Sequence, residues 1–308
     1  MKLLKTVIFI ITLLLVSVQS RADDTLQLQE VTDKVYAIVG ELNNRTPENR
    51  GNNATFGFVV TDEGVVLIDS GGTHGGAEAI VAVIKTVTEQ PVVKVINTGG
   101  QDHRWLGNAY FKQQGAEIIA SDAAVEDQKA RAGEQFFVLS NLVGERAVKS
   151  TSSVYADTRF EEELDFELGG VKFEIRHAGQ AHTPGDSFVW LPQQRVMFSG
   201  DIVYVERILG VREHSNSESW VKVYEAMAAY EPDYLVPGHG EVTTMERADK
   251  DTYGYLLFLR KAVAEFMEEG GEIADIGQVD QSQYDYLLNF DTLAGSNAQQ
   301  VFTEMEWE

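Results

Sequence analysis

Short apolar runs, each closing on a polar, glycine-bearing loop, recur along this chain and restrict it to a layered α/β architecture. Val65–Asp69 is almost wholly apolar and ends in Asp69-Ser70-Gly71-Gly72. Val92–Ile96 ends in the polar loop Asn97–His103, and Ala116–Ala120 is a third short run. A strand that is apolar at successive positions is buried on both faces. Ala77–Thr88 has its apolar residues at helical spacing, and a second helix follows the Asn97–His103 loop to about Gln114. Strand, loop and helix in alternation place helices as a layer against a sheet.

The remaining segments extend this plan. Leu26–Glu41 reads as an opening strand, and Thr55–Val60 pairs with Val65–Asp69 around Asp62-Glu63-Gly64. Ser121–Ser152 reads as helix, loop and helix. Strands return at Glu163–Leu168 and Val171–Arg176, across the Gly169-Gly170 turn, and at Ser187–Leu191 and Val196–Ser199, across Pro192–Arg195. A helix at Ser217–Tyr230, a strand at Tyr234–Val236, and helices at Glu246–Glu268, Gln281–Leu288 and Asn297–Glu304 complete the chain. Two β-rich halves with outer helices predict one domain over 23–308, a sandwich with a C-terminal helical extension and its working loops along one edge.

Residues 1–22 are set apart. Lys2 and Lys5 precede the apolar run Val7–Val16, and Ser20-Arg21-Ala22 offers small residues where a signal peptidase reads. The run is shorter than the roughly 20 residues that span a bilayer, so secretion or a periplasmic address is expected, with no membrane attachment after cleavage. The chain has no cysteine, which excludes disulfides, thiolate ligands and a thiol nucleophile. Its formal net charge is −23, and the leader contributes only basic residues. Such a surface repels nucleic acid and anionic lipid, leaving a small molecule as the expected partner.

The chemistry is expected between Ala178 and His239. His182 follows the strand Val171–Arg176, Asp201 closes the hairpin that comes next, and His239 follows the short strand in Leu235-Val-Pro-Gly-His239. Imidazoles and a carboxylate at strand ends can converge on a metal ion.

These residues stand in motifs that resemble those of the metallo-β-lactamase fold superfamily, over roughly Val35 to Thr244. Val66-Leu-Ile-Asp69, Gly179-Gln-Ala-His182-Thr-Pro-Gly-Asp186, Phe198-Ser-Gly-Asp201 and Leu235-Val-Pro-Gly-His239-Gly match four landmarks in order. The resemblance implies a four-layer αβ/βα sandwich. The fifth landmark departs from the pattern. Where the family carries Asn-Thr-His-x-His-x-Asp-His, this chain reads Asn97-Thr98-Gly99-Gly100-Gln101-Asp102-His103-Arg104. In the ungapped register Gly99 and Gln101 replace the paired histidines, His103 the aspartate and Arg104 the last histidine.

The first of the family's two metal positions would then keep His182 and a share of Asp201. The second would keep His103, Asp201 and His239, two imidazoles and a carboxylate with an open fourth position. One zinc ion is expected, iron being compatible with the same donors. Asp102 and His103 are the candidates for handling the proton of an attacking water. Arg104, whose guanidinium can pair with Asp201, with Asp69 or with an anionic substrate, and His214 are the candidates for touching substrate. Asp69 and Gln101 are expected to stand behind the ligands and hold the loop. His74 and His177 read as structural. The reading is a secreted one-metal hydrolase. The alternatives are a non-catalytic anion-binding descendant and an iron-dependent oxidoreductase. The lost loop histidines argue against β-lactam hydrolysis.

Overall fold

A computed structural model describes residues 25–308, so the leader at 1–22 lies outside the described residues. The first sheet contains β1 (Gln27–Thr32), β2 (Val35–Val39), β3 (Thr55–Thr61), β4 (Gly64–Ile68), β5 (Val92–Ile96), β6 (Glu117–Ser121) and β7 (Thr158–Phe160), in that spatial order. It is antiparallel through β4 and parallel from β4 to β7. The second sheet has the order β12 (Tyr234–Val236), β11 (Val196–Phe198), β10 (Phe188–Leu191), β9 (Val171–Arg176) and β8 (Glu163–Leu168). Only its β11–β12 pair is parallel.

The helices are α1 (His74–Ile84), α2 (Asp102–Trp105), α3 (Asn108–Gln113), α4 (Asp122–Val143), α5 (Glu145–Lys149), α6 (Ser217–Ala228), α7 (Met245–Ala248), α8 (Gly254–Glu268) and α9 (Phe290–Met305). A π-helical turn, Asp249–Tyr253, joins α7 to α8.

Strand periodicity assigns the layers. In β4, Val65 and Leu67 pack toward α1 and α3, while Val66 and Ile68 face the second sheet. Phe188 and Trp190 of β10 meet the C-terminal helices, and Val189 and Leu191 fill the space between the sheets. Because side chains alternate along a strand, apolar runs serve two cores at once. The result is the expected four-layer sandwich. Its central apolar layer carries Phe173, Ile175 and Phe198, and Phe198 lies against Gly57, where an added Cβ would fall 2.1 Å from the ring.

Several local expectations change. The opening segment is two strands, β1 and β2, rather than one. Gln281–Leu288 is not a helix and holds only a 3-10 turn at Ser282–Tyr284. The last helix starts at Phe290 rather than Asn297. The strand β7 sits in a stretch without a clear apolar run. Among the described residues, no helix is long and apolar enough to cross a membrane.

Candidate metal centre and its pocket

The carboxyl ends of β4, β5, β11 and β12 open on one edge, the place where α/β sheets gather ligands. Asp69 follows β4 in a left-handed conformation, with φ of 66°. This turns its carboxylate back onto the next strand end, where it accepts from the Thr98 amide at 2.7 Å and from the Thr98 hydroxyl. The Asn97 side-chain amide donates to the Arg104 carbonyl at 2.8 Å and ties α2 to β5, while its oxygen accepts from Asn108 at 2.7 Å. Thr55 bonds the Gly238 and Gly240 carbonyls, fastening the first sheet to the loop that carries His239.

Three buried donors converge here: His103, Asp201 and His239, with one ligand atom from each lying within 4.8 Å of the others. Nε2 of His103 is 3.2 Å from Asp201 Oδ2, and Nε2 of His239 is 3.2 Å from Asp201 Oδ1. The two rings meet edge to face, with centroids 5.2 Å apart. Tyr204 stacks on His239 at 4.5 Å and sets the plane of that ring.

Arg104 is fully buried and makes four hydrogen bonds: Nη1 to Thr55 O and Asp69 Oδ2, and Nη2 to Asp201 Oδ1 and Gly238 O. This corrects the expectation that Arg104 touches substrate. It is an internal clamp between two carboxylates and does not line the pocket. Burial would pull its pKa down, but Asp201 and Asp69 reverse this and raise it, so the guanidinium stays charged. Burial likewise opposes ionisation of Asp201, yet Arg104 and His103 hold its pKa well below the ordinary carboxylate value. Gly238 is required for this approach, since a Cβ there would lie 2.7 Å from Arg104 Nη2.

The other candidates divide. Asp102 lines the pocket, but its carboxylate is engaged by Arg45, Gln101 and the His103 amide. Burial pushes its pKa up, and Arg45 and His103 more than offset this, leaving a fully ionised and poorly basic group. Gln101 donates to Asp102 at 3.3 Å and is not in contact with the three-donor grouping. His182 is outside the three-donor grouping; its Nδ1 meets the Gly210 carbonyl at 2.9 Å and its ring faces His214. Both histidines line the pocket. Burial lowers His182 to about 4 and His214 to about 3, so each is a neutral imidazole near pH 7.

The space vacated by the family's first loop histidine is filled. A Cβ on Gly99 would fall 2.4 Å from Asp186 Oδ1, and one on Gly100 would fall 1.8 Å from Asp127 Oδ2. The loop is therefore packed against the side chains of Asp186 and Asp127 at these two glycines.

Above the three donors lies a cavity of 610 Å3, whose lining includes Arg45, Arg131, Arg207 and Arg212. None of these arginines was singled out in the sequence, where they lie scattered outside any motif. Nη2 of Arg45 stands 2.9 Å from Nδ1 of His103, and Nη1 of Arg207 is 3.5 Å from Nδ1 of His239.

A family model for the metallo-beta-lactamase superfamily matches residues 50–239, more than half of the chain. The chain belongs to the metallo-beta-lactamase superfamily. Metallo-beta-lactamase IND-1 of Chryseobacterium indologenes is 26% identical over 188 residues, 60% of this chain and 70% of that protein. A linear primary-alkylsulfatase of Pseudomonas sp. (strain ATCC 19151) is 19% identical over 249 residues, 69% of this chain but only 47% of the enzyme. Among solved structures, a metallo-beta-lactamase from Pontibacter korlensis superposes with a TM-score of 0.61 at 23% identity, covering 75% of this chain and 99% of that one. The sec-alkylsulfatase Pisa1 from Pseudomonas sp. gives 0.71 at 16% identity, over 90% of this chain and 50% of its own. These structural likenesses establish the shared fold.

Members of this superfamily bind metal, usually zinc. The residues present fit one such ion: two imidazole nitrogens and a carboxylate are the donor types zinc takes, and they already face one another with an open side toward the cavity. A guanidinium only donates, so an imidazole whose Nδ1 receives an arginine carries its proton on Nε2 and gives it to Asp201. An ion taking Nε2 therefore displaces that proton, and the arginine facing Nδ1 must give way if the proton moves there.

Proposed function

We propose that this superfamily member is an exported, periplasmic or secreted, metal-dependent hydrolase of a small-molecule substrate, with one ion, zinc by preference, held by His103, Asp201 and His239. The observation that supports it is the convergence of these three buried donors at the floor of an open cavity. When bound, zinc acts as a Lewis acid and brings the pKa of a coordinated water to about 7.

The chain's own groups prepare that site. Asp69 and Arg104 hold the Asp201 carboxylate in place from the protein side, away from the cavity. Tyr204 lines the cavity, and burial and Asp201 raise its pKa well above the ordinary phenol value. It keeps its proton and serves a substrate oxygen as a hydrogen-bond donor. Asp102 is engaged by Arg45 and by the His103 amide, and it holds Arg45 beside His103.

A second reading, a non-catalytic binding protein, is favoured by one observation. Arg45 pairs with Asp102, and Arg104 bridges Asp69 and Asp201, so the carboxylates around the two histidines are already matched by guanidinium groups. Metal analysis of the purified mature chain, prepared without chelator, separates the two. The hydrolase reading expects about one zinc or iron per chain and its loss in His239→Ala. A metal-free wild type that takes up no zinc on dialysis would leave the binding-protein reading standing.

A further inference from the structure

The proposed site sits beneath a concentration of positive charge that the reaction chemistry does not itself require. Four arginines line the cavity, against the carboxylates of Asp102 and Glu134, on a chain whose formal net charge is −23. Two of the four are already matched. Arg45 pairs with Asp102, and Arg131 grips Asp127 through both Nε and Nη2. Arg207 and Arg212 have no carboxylate at ion-pair distance among the described residues, and the buried Nε of Arg207 has no hydrogen-bond partner.

Arg207 is also fixed. Its guanidinium lies over the Tyr204 ring, 5.8 Å from the centroid. Its backbone belongs to a segment bonded on every side: Val205 to His239, Glu206 to Asp251, Ile208 to Leu288, and Leu209 and Val211 to Asn297. Arg207 is half-buried, and a charge partly withdrawn from water without a carboxylate partner favours an anion that can reach it. The terminal nitrogens of a guanidinium that lines a cavity can meet two oxygens of one oxyanion. Arg212, exposed at the rim, is placed to steer such a group inward. Val138 and Leu293 line the same cavity and offer apolar contact to an uncharged remainder.

We propose that the cavity takes a small organic molecule bearing an oxyanion (a sulfate, phosphate or carboxylate group), held by Arg207 and steered by Arg212 beside the three-donor centre. This names the substrate class of the hydrolase proposed above; it rests on that reading for the reaction and not for the binding.

The test is calorimetric titration of the full mature chain with sodium sulfate, sodium phosphate and sodium acetate at constant chloride ionic strength. It is run on zinc-loaded and on chelator-stripped protein. Saturable binding of at least one oxyanion is expected in both preparations, and the rank among the three separates tetrahedral from carboxylate groups. Arg207→Gln should weaken it about 10- to 100-fold, the range of a hydrogen bond to a charged group. Arg207→Lys, which keeps the charge but not the fork, should fall between. Arg260→Ala, whose guanidinium pairs with Glu308, should leave it unchanged. Should Arg207→Gln melt before it can be titrated, the exposed Arg212→Ala carries the test, with a several-fold loss expected.

Absence of saturable binding by all three ions overturns the proposal. So does equal affinity in the variants, or binding confined to zinc-loaded protein and indifferent to Arg207, which places the ion on the metal. Oxyanion binding by a chain that takes up no metal would sink the hydrolase reading and leave this one intact. A metal-loaded chain that binds no oxyanion would do the reverse.

Discussion

At the residue scale, the departure at Arg104 decides the character of the site. A protonated side chain cannot ligate, and the sequence offered two uses for it: an anion in the pocket, or an internal carboxylate. The structure gives the second, because Arg104 follows α2 inward and ends between Asp69 and Asp201, with backbone carbonyls on either side. Removing one partner of a buried ionic network strands the others. Arg104→Met is therefore expected to destabilise the fold by about 3–5 kcal/mol, read from the urea midpoint at constant m-value. A loss below about 1 kcal/mol would mean that the clamp is solvated and marginal. Gly99 and Gly100 have the matching explanation: their missing side chains leave room for Asp186 and Asp127, a relation no reading of the loop by itself could show.

At the scale of elements, the strand-end loops were legible because their apolar strands are short and sharply bounded. The segment after Asp201 was not. Residues 203–211 are buried except for the half-buried Glu206 and Arg207, largely irregular, and held by side chains distant in sequence. The π-helical turn carries both Asp251 and Thr252 to it: Asp251 accepts from the Glu206 amide, while Thr252 bonds both backbone groups of Tyr204. Asn297 on α9 accepts from the Val211 amide and donates to the Leu209 carbonyl. The sequence reading began that helix at Asn297, so the residue looked like a helix start, whereas it is a buried bracket for the pocket wall. Asn297→Ala leaves two buried backbone groups without partners, at about 1–3 kcal/mol each. A lower Tm and weaker oxyanion binding with unchanged metal content are the expected results. Unchanged binding would show that Arg207 is positioned without this bracket.

At the scale of the molecule, the pocket holds neutral histidines that would charge if the chain unfolded. His182 is lowered to about 4 and His214 to about 3, chiefly by burial, while an unfolded histidine titrates near ~6.5. Below that pH the unfolded chain binds more protons than the folded one. The stability these rings contribute is present above about 6.5 and is lost as the pH falls through 4 and then 3. Asp186 acts with the opposite sign: burial and Asp201 raise it to about 8, so its contribution is present at low pH and lost as pH rises through that value. The difference between wild type and His214→Gln isolates one group from the others. The variant should lose less Tm between pH 7 and pH 4 than the wild type, by differential scanning calorimetry, and an equal loss would assign the acid sensitivity elsewhere.

The sequence by itself determined the layers and the edge on which the chemistry gathers, since both follow from local patterns: alternation along strands, helical spacing and polar loops after apolar runs. It also placed Asp201 and His239 on strand ends and exposed the altered loop through the gaps in a known motif. Which residues meet there was decided by the tertiary structure. His103 joins Asp201 and His239 because α2 turns it inward, and His182 is held aside by the Gly210 carbonyl. Arg45 and Arg207 reach the same two rings from positions about 160 residues apart in the chain, a convergence set by packing between the halves of the sandwich and written in no local pattern.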